Sequence, residues 1–99
     1  MTPRLFVRDD AAADIAEAAG WYEARRDGLG SEYTREVRAA LAGIERQPFR
    51  FPVARGEVRR ARVRRFPYID FFIPESARTV VLAVLHGRRD PQTWQTRVK

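Results

Sequence analysis

Arginine occupies alternate positions at Arg60, Arg62 and Arg64, and two more, Arg88 and Arg89, follow the chain's single histidine, His86, with Trp94 a few residues beyond. A guanidinium presents a planar fork of donors that matches paired carboxylate or phosphate oxygens. Alternate residues of an extended segment share a face, so Arg60, Arg62 and Arg64 form a ladder of cations for a phosphate or another target. The same ladder also reads as a solvated strand edge, where arginines discourage unwanted pairing. His86, as the only imidazole, excludes a histidine dyad and a multi-histidine metal site, leaving a structural place at a strand end or a lone proton-transfer role. Arg88 and Arg89 either contact a partner or pair with Asp90 or Asp70 as scaffold. Trp94 is either an interface anchor or a ring folded back over a sheet. The chain has no cysteine, which excludes disulfides, thiolate zinc sites and cysteine nucleophiles. Neither a phosphate-binding glycine loop, nor a nucleophile elbow, nor an acidic cation loop occurs, and no metal or other cofactor is expected.

Charge locates the chemistry. Residues 1–49 carry 7 arginines against 9 carboxylates, whereas residues 50–99 carry 12 basic against 4 acidic side chains. The net charge of +6 therefore belongs to the second half. Such a field favours an anionic partner, nucleic acid or acidic protein, without choosing between them. At 99 residues the chain has room for one small domain, 1–99, and its 44% hydrophobic content suffices for a packed core. No signal-peptide core and no membrane-spanning run is present, so a soluble cytoplasmic protein is expected.

The elements that must position these groups follow from the apolar pattern. Leu5 to Arg8 reads as a short strand, and Asp9 and Asp10 as the cap and acidic start of a helix. Ala12, Ile15, Ala16, Ala19 and Tyr22 recur at helical spacing to about Arg26, with Trp21 and Tyr22 expected in the core. Asp27-Gly28-Leu29-Gly30 breaks that helix, and Ser31 caps a second whose stripe is Tyr33, Val37, Ala40, Leu41 and Ile44, ending near Arg46 before Pro48. The period then changes. Val58 to Arg65 alternates, with Ala61 and Val63 opposite the arginine ladder, and Pro67 marks a corner. Tyr68 to Ile73 places Ile69, Phe71 and Ile73 on one face; Asp70, the odd acid in this strand, is expected to face solvent or a neighbouring arginine. Thr79 to Leu85 is apolar on both faces, as a doubly covered central strand should be, and Arg88 to Lys99 is a polar tail. The fold class is α+β, in the order β-α-α-β-β-β, an antiparallel sheet packed against an N-terminal helical hairpin.

At Arg65-Phe66-Pro67-Tyr68, and again from Val80 to Trp94 through His86-Gly87-Arg88-Arg89, the sequence resembles the RelE/ParE superfamily of toxins from type II toxin–antitoxin systems. Trp21-Tyr22, Gly28-Leu29-Gly30 and Gln47-Pro48-Phe49 are similar to the same family at matching places. The resemblance implies a cognate antitoxin that wraps and blocks the toxin, and operator DNA contact only through the complex of the two. An antitoxin laying an acidic or strand-forming segment on Arg60, Arg62 and Arg64 would reconcile the two readings of that ladder.

The superfamily divides by mechanism. Its RelE-like branch cleaves mRNA on the ribosome, which requires cations around the scissile phosphate and help for the attacking 2′-hydroxyl. The basic groups of that branch fall on Arg60, Arg62 and Arg88, which keep their charge. Its second-strand arginine falls on Ile69 and its tyrosine on Trp94. An isoleucine supplies no cation and an indole no phenolic oxygen. The ParE-like branch, which Phe66-Pro67-Tyr68 and His86-Gly87-Arg88-Arg89 resemble more closely, implies inhibition of DNA gyrase by protein–protein contact. Three expectations result: a gyrase-binding toxin, an atypical ribosome-dependent ribonuclease, or a non-toxic remnant that retains only antitoxin binding. Binding to target or antitoxin is expected of Arg60, Arg62, Arg64, His86, Arg88, Arg89 and Trp94.

Overall fold

A helix start needs negative charge near its unpaired amides, and Asp9 and Asp10 supply it from inside the first turn of α1 (Asp9–Arg25). The computed structural model describes residues 4–98. Before α1 lies β1 (Leu5–Val7); after it come α2 (Leu29–Arg46) and a 3-10 turn at Pro48–Arg50. The chain continues through β2 (Val53–Arg55), β3 (Val58–Arg62), β4 (Tyr68–Pro74), β5 (Thr79–His86) and a short α3 (Gln92–Gln95). The expected α+β order holds, with β2 and α3 added. No helix of the described residues is long and apolar enough to cross a membrane.

The helices diverge from expectation in phase and capping. Buried positions of α1 are Ala11 and Ala18, with Ile15 and Tyr22 half-buried, while Ala12, Ala16 and Trp21 are exposed. An alanine-rich helix has low apolar contrast between its faces, which is why its stripe misleads by one position. Trp21 is 54% exposed rather than in the core, its ring under the Arg25 guanidinium at 4.2 Å. At the start of α2 the cap is not Ser31. Gly28 takes φ 88°, and the Glu23 carboxylate of α1 accepts the amides of Gly28 (2.9 Å) and Gly30 (3.0 Å). Gly30 is also where the helices press together: a Cβ there would lie 2.6 Å from the Ala19 carbonyl oxygen. The stripe of α2 is as expected, with Tyr33, Val37 and Ile44 buried and Leu41 half-buried.

The sheet runs β1-β5-β4-β3-β2, with β1 parallel to β5 and the other pairs antiparallel. Ala61, Phe72, Val81 and Val84 pack on the helices with Ala11 and Ile44. Val58, Phe71, Leu82, Ala83 and Leu85 form a second core on the opposite face, closed by Trp94. A bulge serves both cores: Phe71 pairs with Ala83 and Phe72 with Val81, leaving Leu82 as the extra residue.

β1 covers the outer edge of β5 only as far as Val81, whose carbonyl still accepts the Arg8 amide at 3.1 Å. The next outward groups of β5 are met by side chains. The Val84 amide donates to Asp14 Oδ2 at 3.0 Å, and Arg97 Nη1 donates to the Leu82 carbonyl at 3.1 Å. Arg97 and Asp14 are themselves paired, at 2.7 and 3.2 Å, and Arg8 donates to the Arg97 carbonyl at 2.6 Å. The Asp14 hydrogen bond and charge hold the Arg97 guanidinium even more firmly protonated than usual.

Asp70 faces neither solvent nor arginine. Between Ala61 and Val84 in the ladders, it is 0% exposed and neither carboxylate oxygen has a partner. Strand alternation sends Arg60 and Arg62 to the other face. Burial pushes the carboxyl up to about 8, so it is protonated at neutral pH. The buried Tyr33 hydroxyl also lacks a partner, and burial raises its pKa as well.

Two outcomes are expected. The folded state holds the Asp70 proton that the unfolded chain, with its ordinary value of 3.8, releases. This group's stabilisation is therefore present below about pH 4 and lost as pH rises toward 8. Melting of the wild type should fall across pH 5 to 8.5 relative to Asp70→Asn, with the variant gaining about 4 kcal/mol over that interval; parallel profiles would show that Asp70 ionises freely. Arg97→Ala should lose about 3 kcal/mol in urea unfolding, because it leaves Asp14 and the Leu82 carbonyl without their cation.

Candidate functional site

The two ends of the arginine-bearing segment meet through the corner between β3 and β4. The Val63 amide donates to the Tyr68 carbonyl at 2.9 Å, and the Gly87 amide donates to the Pro67 carbonyl at 2.8 Å. That second bond clips the corner onto the end of β5. Arg65 turns the corner with φ 73°, a left-handed conformation that costs a non-glycine residue about 1 kcal/mol. Ion pairs from Arg65 to Glu32 (3.0 Å) and Glu36 (3.9 Å) tie the corner to α2.

Between this corner and β5 lies a groove of about 590 Å³. Its lining is mostly apolar, from Phe51, Ala61, Phe66, Tyr68 and Ile69 with Pro52, Pro67 and Gly87, and Arg60, Arg62, His86 and Arg88 complete it. Four expected site residues thus converge. A second hollow of about 400 Å³ shares Arg60, Ile69 and His86 with the first and adds Arg55, Arg89 and Trp94. Arg64 departs from the ladder. β3 ends at Arg62, and Arg64 sits exposed in the turn, lining neither hollow.

The arginines divide into two sets. Arg8, Arg26, Arg65 and Arg97 are committed to carboxylates, and Arg59 to the Phe51 carbonyl at 2.6 Å. Among the described residues, the side chains of Arg60, Arg62, Arg88 and Arg89 make no ion pair and no hydrogen bond. The scaffold reading of Arg88 and Arg89 through Asp90 or Asp70 therefore fails. His86 does hold the strand end: its Nδ1 accepts the Arg88 amide at 3.0 Å. Its ring meets Tyr68 edge-on at 5.5 Å, and burial raises the Tyr68 phenol above its ordinary pKa, keeping it protonated.

Trp94 takes the folded-back arrangement, 6% exposed and stacked on Phe71 at 4.8 Å with 15° between the rings. Ile69 pairs with Arg62 on one side and Leu85 on the other. Phe51, Phe66 and Tyr68 were not among the expected site residues. Phe66 and Tyr68 flank Pro67 at the β3–β4 corner and Phe51 precedes β2, aromatic positions that read equally well as core.

Uncommitted cations should contribute little to folding. Replacing Arg60, Arg62 and Arg88 together by alanine is expected to change unfolding free energy by less than about 1 kcal/mol. A loss comparable with that of Arg97→Ala would mean they are scaffold after all.

Comparison with known proteins agrees with this geometry. The family described as the ParE toxin of type II toxin-antitoxin system, parDE, matches residues 5–91. Among solved structures, one titled as the chromosomal ParDE TA system from P. aeruginosa superposes with a TM-score of 0.74. It covers 85% of this chain and 95% of its own at 16% identity, which establishes the shared fold. No curated protein matches the sequence. With a family match spanning α1, α2, all five strands and the arginine groove, this chain belongs to the ParE toxin family of type II toxin–antitoxin systems.

Proposed function

We propose that this protein arrests growth by binding DNA gyrase through the Arg60–Arg62–Arg88 groove, and that a cognate antitoxin neutralises it. The observation carrying this reading is the state of Ile69 and Trp94. The first fills a position in the sheet between Arg62 and Leu85, and the second is stacked on Phe71 in the second core. Neither supplies the cation or the phenolic oxygen that an RNA-cleaving relative would place there. Uncommitted arginines over an apolar hollow suit protein recognition, where guanidinium and aromatic groups carry much of the affinity. Action on gyrase places the protein in the cytoplasm, and any contact with operator DNA runs through the antitoxin complex.

The convergence of Arg60, Arg62 and Arg88 favours a second reading, an atypical ribosome-dependent ribonuclease in which these three cations stabilise the cleaved phosphate. One paired experiment separates the two. Purified gyrase with supercoiled DNA should accumulate toxin-dependent cleavage complexes, reduced roughly tenfold or more by Arg62→Glu with Arg88→Glu. A translating extract should show no new mRNA cuts. Cuts at the ribosomal A site that vanish with Arg88→Ala, and gyrase left untouched, would install the ribonuclease instead. Inactivity in both, with growth unaffected on induction without antitoxin, would leave an antitoxin-binding remnant.

A further inference from the structure

We infer that the end of the sheet opposite the groove binds single-stranded nucleic acid, stacking bases on Phe49 and Phe6 and holding phosphates with Arg4, Arg46 and Arg78. The site is separate from the groove. β5 runs from one to the other, Thr79 bordering the new site and His86 the groove. Its 8 residues set the two about 23 Å apart at the usual rise of a strand.

Exposed rings supply the first argument. Phe49 is 69% and Phe6 41% exposed, whereas the other phenylalanines are buried or half-buried. Phe49 is held out by its surroundings. Pro48 fixes the 3-10 turn that carries it, and Arg59 donates to the carbonyls of Phe49 at 3.4 Å and Phe51 at 2.6 Å. The same guanidinium lies over the Phe49 ring, 5.1 Å from its centroid. Leu5 and Val7 pack on the helix-side core, so Phe6 between them points from β1 to the other face. The Arg78 guanidinium lies over its ring at 4.2 Å. Each ring is thus fixed and accessible with a cation beside it, the combination on which an unpaired base stacks.

Charge supplies the second. A hollow of about 460 Å³ is lined by Phe49, Arg4, Arg46 and Arg78, with Glu45 and Glu75 on its rim. Arg78 joins this hollow to Phe6, because it lines the one and covers the other. The three arginines are exposed, and among the described residues none of them makes an ion pair, although two carboxylates share the hollow. Guanidiniums interleaved with rings match the phosphates and bases of a single strand, whatever its sequence, because every base has a π-face. A duplex hides those faces in its own stack. An acidic peptide satisfies the arginines but brings no succession of planar groups to the rings. Stacking and phosphate contact are common to DNA and RNA, so the site accepts both.

The test uses the intact protein and short fluorescent probes: single-stranded DNA, single-stranded RNA, the DNA duplex and a polyglutamate peptide. Both single strands should bind within about threefold of each other, and at least about tenfold tighter than duplex or peptide. Their affinity should fall with salt at a log–log slope of about −2, the value for three phosphate contacts on a single strand. Phe49→Ala, at an exposed position, should weaken binding about tenfold, and Phe49→Leu nearly as much, since leucine keeps the apolar contact without the plane. Arg46→Ala with Arg78→Ala should weaken it about tenfold and flatten the slope by about 1.4. Arg38→Ala, an exposed cation of α2 outside the hollow, should leave it unchanged. Strands carrying bromouracil should crosslink on irradiation to Phe49 or Phe6. Absence of binding, full affinity in Phe49→Ala or Phe49→Leu, tighter binding of duplex or peptide, or crosslinks confined to the Arg60–Arg62–Arg88 groove would each overturn the proposal.

Discussion

β5 is the strand on which both cores and the site depend, and it is secured by one ion pair between residues far apart in the chain. A central strand needs partners on both edges, yet β1 offers only three residues. Asp14 and Arg97 take over where it stops, one accepting the Val84 amide and the other donating to the Leu82 carbonyl. Because the two side chains also bond each other, the first helix, the central strand and the C-terminal tail become a single unit. The pair is largely shielded, with side-chain exposures of 18% and 14%, so water competes poorly for it. Fixing Arg97 also holds α3, and with it the Trp94 ring over Phe71. Without that ring the apolar face of Val58, Phe71, Leu82 and Leu85 would be open to solvent.

The opposite face of the sheet carries the less comfortable groups. Asp70 and the Tyr33 hydroxyl are both buried without partners beneath the helices. Neutrality makes this tolerable, since a protonated carboxyl costs far less to bury than an ionised one. Tyr22, Tyr33, Phe66 and Tyr68 pack edge to face around this region, with ring centroids 4.9 to 6.1 Å apart. The same Phe66 and Tyr68 line the groove. The groove therefore rests directly on the aromatic core, and its shape is set by that packing.

Legibility in the sequence followed contrast and range. Tyr33, Val37, Leu41 and Ile44 gave α2 correctly because large apolar residues stand out against arginines and glutamates. The run from Thr79 to Leu85 gave β5 as a strand covered on both faces for the same reason. In α1 the alanines left the phase open by one residue, which put Trp21 inside when it lies outside. β2, three residues with two exposed, carries no pattern at all. Arg64 kept the alternation of its neighbours in sequence but not in space, because the corner begins one residue earlier. Asp14 with Arg97, and Glu23 at the start of α2, are contacts between elements; local periodicity holds no trace of them. The site was readable as a set of cations, while its apolar lining could be assigned only once the β3–β4 corner had been placed against β5.

Ile69 shows how one position can decide between chemistry and recognition. It lies directly opposite Arg62, the pairing in which two like charges destabilise a sheet. An arginine at 69 would crowd the Arg62 guanidinium, an arrangement relieved only when an anion such as a phosphate binds between them. Isoleucine removes that repulsion and packs against the core that holds Phe71 and Trp94. The sheet beneath the groove can then stay folded with the groove empty. Trp94 acts in the same direction: its indole, buried on Phe71, strengthens the second core, so that both positions serve the packing of the sheet.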